Sequence, residues 1–75
     1  MLRKDLLDPA MQQKIRLLVS KIMIEENLDC KAVLAYTGLS YTPYYEFILA
    51  GKLRGEKVVR AFAHFVVKHG YKLEE

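Results

Sequence analysis

The chain has 75 residues, 52% of them hydrophobic, and a formal net charge of +3. That length limits it to one domain with a small core and marginal stability. With only 4 glycines and 2 prolines, and with no repeat or low-complexity tract, a disordered or solenoid chain is excluded.

The opening MLRKDLLDPAM has no apolar run longer than two residues, so no signal-peptide core is expected. Residues 1–8 read as a flexible arm or one extra turn of helix. The first helix then starts with Asp8 as N-cap and Pro9 at the first helical position, where a missing N–H costs nothing. Ile15, Leu18, Val19, Ile22 and Met23 recur at helical spacing as one apolar stripe, with Lys14, Arg16 and Lys21 largely off it. LLVSKIMI is interrupted by Ser20 and Lys21 and is too short to span a bilayer. This helix is expected to end near Glu26–Asn27.

Asp29 caps a second, short helix, CKAVLAYT, which presents Val33 and Leu34 inward and stops at Gly38. Its first residue, Cys30, is the only cysteine in the chain, which excludes a disulfide framework and a cysteine-rich zinc site. Cys30 reads as a small half-buried residue, and a single thiol suits a reducing cytoplasm. Leu39 reads as an apolar plug under the turn. The third helix starts after Ser40 or after Thr42; Thr42 is the neater cap, because Pro43 would again be the first helical residue. Tyr44, Phe47 and Ile48 point inward, Tyr45 and Glu46 outward, and Ala50–Gly51 ends the helix. A fourth helix runs from Gly55–Glu56 to about His69 on a stripe of Val58, Val59, Phe62, Phe65 and Val66, with Gly70 closing it. Tyr71–Leu73 is a short tail, free to pack on the domain or on a second copy.

Taken in order, LDCKAVLAYTGLSYTPYYEF sets an apolar residue (Leu28) and a cap (Asp29) before a short helix. Gly38 then follows Leu28 by ten residues, with Leu39 and Ser40 behind it and aromatic rings at Tyr44 and Phe47. This order resembles the helix-turn-helix of the lambda-repressor-like (Cro/CI, XRE-type) DNA-binding domains. IRLLVSKIMIEEN is similar to that family's first helix, and AGKLRGEKVVRAFAHFVVKHG to its stretch after the recognition helix. The likeness covers about Ile15 to Gly70. Leu34 stands where the family usually has a small residue, and the glycine after the recognition helix comes about one residue late, at Gly51. The resemblance implies a compact all-α domain of four or five helices, in which the helix after Gly38 lies in the major groove with its N-terminal residues on base edges.

Base readout usually relies on Arg, Lys, Asn or Gln. The stretch Tyr44–Ala50 has none of them, so the base-contact candidates are Ser40, Tyr41, Thr42, Tyr45 and Glu46. Hydroxyls can meet bases or phosphates, tyrosine rings can pack on thymine methyls, and Glu46 can accept from cytosine. Phosphate anchoring is better supplied. From Lys52 to Lys72 six basic residues face one acid, Glu56. Lys31, Lys52, Arg54, Lys57 and Arg60 are the phosphate-contact candidates; each also reads as a solvated charge, as Lys68 and Lys72 more readily do. Tyr36 and Tyr44 read as core or half-buried rings. Tyr41 and Tyr45 read as exposed, which suits a protein interface as well as nucleic acid.

No catalytic constellation, cofactor motif or metal-ligand set stands out. His64 and His69 are five residues apart and do not share a helix face. GLSYTP and GKLRG lack the spacing of a phosphate-binding loop. Glu25–Glu26 and Glu74–Glu75 read as solubilising pairs. The expectation is a cytoplasmic, non-enzymatic, repressor-like transcriptional regulator that binds double-stranded DNA as a homodimer, of the kind common in phages, plasmids and other mobile elements. The other reading is a small inhibitor or adaptor that binds a protein through its aromatic surface.

Overall fold

A computed structural model describes residues 6–73, and these are all-helical with no strand among them. Helix α1 spans Pro9–Glu25, α2 Cys30–Thr37, α3 Tyr41–Tyr44 with a π-helical continuation Tyr45–Leu49, and α4 Glu56–Lys68. Residues 1–5 of the expected arm, and Glu74–Glu75, lie outside the described residues.

The helix ends follow from short polar side chains and left-handed residues. Asp8 accepts from the Met11 N–H (3.1 Å) and Asp29 from the Ala32 N–H (2.9 Å), each satisfying an otherwise orphaned first-turn donor. At the end of α1, Asn27 takes φ 55 and lets the Leu28 N–H return to the Met23 carbonyl at 2.8 Å. At the end of α2, Gly38 takes φ 75 and donates to the Leu34 carbonyl at 2.8 Å. A side chain at that φ is strained, so glycine is the residue that can both close α2 and redirect the chain. Ser40, not Thr42, precedes α3. It makes no side-chain cap bond, and Pro43 falls third in the helix, inside the first turn, where its missing N–H again costs nothing.

The apolar stripes converge as expected. Ile15, Val19 and Ile22 of α1 meet Val33 of α2, Tyr44, Phe47 and Ile48 of α3, and Val59, Phe62, Phe65 and Val66 of α4, all buried. Phe47 and Phe62 stack with centroids 5.0 Å apart, and each buried ring contributes roughly 2–3 kcal/mol of hydrophobic free energy. Leu6 and Leu73, outside every helix, are also buried. The tail therefore packs on its own domain. The Tyr71 hydroxyl donates to Glu25 (2.6 Å) and Lys21 lies over the Tyr71 ring at 5.5 Å.

Gln12 is the one buried polar residue among those described. Its spacing to Ile15, Val19 and Ile22 puts it on the apolar stripe of α1. Its amide makes three hydrogen bonds: Nε2 donates to the carbonyls of Leu6 (2.8 Å) and Arg54 (2.9 Å), and Oε1 accepts from the Arg54 N–H (3.0 Å). The loop between α3 and α4 is thus tied to α1 by one side chain. Gln12→Leu should destabilise the fold by about 3 kcal/mol, because it strands buried backbone groups. Urea denaturation measures this, and a loss of under about 0.5 kcal/mol would show that the loop is held by other means.

Candidate nucleic-acid interface

The segment from Gly38 onward combines a three-residue turn with a short helix, and its outer face is set by what its inner face buries. Tyr44, Phe47 and Ile48 go inward; Ser40, Tyr41, Thr42 and Tyr45 are exposed. Tyr41 and Tyr45 stand open by 53% and 47%, with their rings 6.0 Å apart. Leu49 continues the same line at 60% exposure, at positions i, i+4 and i+8. The outer face is therefore aromatic and apolar, with hydroxyls at its N-terminal end.

The helix does not remain α-helical. From Tyr45 to Leu49 it widens into a π turn, with the Ala50 N–H reaching back five residues to the Tyr45 carbonyl (2.9 Å) and the Lys52 N–H six residues to Glu46 (2.9 Å). Gly51 takes φ 72 to make this closure. A π turn holds one more residue than an α turn. Across it Tyr44, Phe47 and Ile48 all stay in the core.

Arg16 secures the wide turn. Its Nε donates to the Phe47 carbonyl at 2.6 Å and its guanidinium lies 4.8 Å from the Phe47 ring centroid. Another nitrogen points to the Lys52 carbonyl at 3.4 Å, and a third donates to Gln13. A cation placed among the unpaired carbonyls at a helix C-terminus is favourable. Arg16, expected largely off the apolar stripe, is half-buried in this clamp.

The charged candidates are divided among several places. Glu46 pairs with Arg54 at 2.9 Å, so a candidate base-contact carboxylate and a candidate phosphate-contact cation occupy each other. Arg54 Nε is buried and has no hydrogen-bond partner among the described residues. Lys31 and Lys52 are exposed, at the start of α2 and just after the π turn. Lys57 and Arg60 are exposed on α4 and line a groove with Tyr36 and Thr37 from the opposite end of α2, with Arg60 paired to Glu56. An eight-residue helix is about 12 Å long, so Lys31 and this groove lie at different ends of the domain's second helix. Tyr36, expected in or near the core, is exposed, with its ring edge-on to Phe65 at 5.3 Å.

Among the described residues no three His, Cys, Asp or Glu side chains group as metal ligands, and no helix is long and apolar enough to cross a membrane. Compared with protein-family models, curated proteins and solved structures, the chain matches none of them.

Tyr44 ties this segment to the pH scale. Burial, with smaller effects from Cys30 and Tyr41, raises its hydroxyl above the ordinary value of 10.0; the hydrogen bond to Glu25 does the same for Tyr71. A raised phenol stabilises the fold fully below its unfolded value, and that stability is lost as pH rises through the folded value. The melting temperature should therefore fall above about pH 10. Tyr44→Phe should remove part of that fall while costing under about 1 kcal/mol at neutral pH, because its hydroxyl meets only the Met23 sulfur at 3.7 Å. Melting curves across alkaline pH test both statements.

Proposed function

We propose that the chain binds double-stranded DNA as a transcriptional regulator. The Tyr41–Leu49 segment enters the major groove, and two copies act on a two-fold site. The observation that carries this reading is the helix–turn–helix segment itself. Two short helices are joined by three residues, and the second buries Tyr44, Phe47 and Ile48 while leaving Ser40, Tyr41, Thr42 and Tyr45 open at its N-terminal end. Lys31 and Lys52 supply phosphate contacts, and Tyr41, Thr42 and Tyr45 meet thymine methyls and base edges. With no forked Arg or amide on the reading face, discrimination rests largely on DNA shape and on few bases. A single domain of this size offers a small interface, which is why the reading includes a homodimer.

Arg54 has a particular place in this reading. Its ion pair with Glu46 holds it back from phosphate. Glu46→Gln should release it. Duplex affinity should then rise about tenfold, and the slope of log affinity against log salt should steepen by about one.

The exposed line of Tyr41, Tyr45 and Leu49, with Leu53 also open, favours a second reading in which the same face docks on a protein. Salt separates the two. Fluorescence anisotropy of labelled duplex DNA should show binding that weakens steeply as salt is added, and Lys31→Ala/Lys52→Ala should lower the slope by about two. If no duplex binds at low salt, the DNA reading fails and the aromatic face is a protein interface.

A further inference from the structure

A second concave surface lies away from the turn between α2 and α3. It is a groove of about 780 Å³ between the end of α2 and the outer face of α4. Half-buried Ala61 and Thr37 line it. Tyr36 forms one wall and is held upright by its edge contact with Phe65 and by His69 at 5.8 Å. Val67 is open at the same groove. Lys57, Arg60, His64 and Lys68 stand along it at helical spacing, and all four are exposed. The acid on this face is Glu56, which pairs with Arg60.

We propose that this groove binds a short acidic segment of a protein partner that carries an apolar side chain. The charge row calls for carboxylates, and the Tyr36 ring, Ala61 and Val67 call for an apolar group set between them. A phosphate backbone meets only the first demand, and setting its charged oxygens against the apolar groups would cost desolvation that no hydrogen bond there offsets. From Lys57 to Lys68 the row spans about 16 Å of helix axis, which matches the length of about five extended residues. Charge complementarity selects such a segment and speeds its capture. This proposal does not depend on DNA binding.

The test is titration of the ¹⁵N-labelled full chain with a short synthetic peptide of glutamate, aspartate and leucine, followed by NMR. The same peptide with serine for leucine, one with lysine for the acids, and a DNA duplex serve as comparisons. Amides of Tyr36, Thr37, Ala61 and His64 should shift with the acidic leucine peptide, and serine for leucine should weaken it about tenfold. Lys57→Glu/Lys68→Glu changes only exposed lysines, so the fold should persist; it should abolish the shifts. Tyr36→Ala, checked for folding by circular dichroism, should weaken binding with no change in charge. Shifts from the duplex and not from the peptide would overturn the proposal in favour of a nucleic-acid track. Equal binding of the serine and leucine peptides, or shifts elsewhere on the surface, would overturn it as well. So would self-association of the peptide-free protein that the lysine reversal abolishes, since the groove would then belong to a second copy.

Discussion

Phe47 anchors the third helix. Its ring stacks on Phe62, its face receives the Arg16 guanidinium, and its carbonyl accepts from Arg16 Nε at 2.6 Å. The rest of the helix's presentation follows from this. With Phe47 and the neighbouring Ile48 buried, Tyr45 and Leu49 are turned outward. The Phe47 carbonyl lies in the wide π turn at the helix end, and one cation from α1 reaches both it and the Lys52 carbonyl in the loop beyond. The energetic balance favours this arrangement. A π turn is a rare and poorer geometry, but burying a Phe and an Ile contributes several kcal/mol that a rotated helix would forfeit.

Polar contacts then position the loop that the apolar core leaves unplaced. Gln12 holds Arg54 by its backbone, in both directions, and this brings the Arg54 side chain to Glu46. α1 thus governs two successive stretches of the candidate interface, through Arg16 at the end of the π turn and through Gln12 at the loop. Neither residue belongs to the presented face. Half-exposed ion pairs are worth little to stability, so the Glu46–Arg54 pair matters less for holding the fold than for deciding which charges the surface offers.

Much of the fold was legible in the sequence, because its boundaries are written in residues with local chemistry. Asp8–Pro9, Asp29 and Gly38 bound α1 and α2 through contacts within four residues, and the 3.6-residue stripes on α1 and α4 identify the core face. What stayed hidden depends on distant partners. The π turn over Tyr45–Leu49 left no mark in the sequence, since the apolar spacing of so short a helix fits an α turn as well, and tertiary packing decides between them. Thr42 was the neater cap on paper because it would put Pro43 first in the helix, but Ser40 is the residue that precedes the helix and Pro43 falls third, a position the first turn tolerates equally well. Arg16, Gln12 and the Glu46–Arg54 pair join residues 31 to 42 positions apart or across a loop. Gln12 alone carried a signal that could have been read, a polar residue in phase with Ile15, Val19 and Ile22. Of the candidate site, the exposure of Tyr41 and Tyr45 was legible in the sequence, whereas Glu46, expected to point outward, is only half-exposed. The dispersal of the cations was not.

The burial of Leu6 and Leu73 gives the domain a footprint longer than its helices. These residues close the core from outside both terminal helices, and Gln12 adds a hydrogen bond to the Leu6 carbonyl. A fragment trimmed to the helical span, Pro9 to Lys68, would keep every helix and lose two of its core plugs. Affinity tags, fluorophores and fusion partners therefore belong beyond these two leucines. Joining a second protein at Asp8 or at Gly70 would expose the same apolar surface that the chain's own ends now cover.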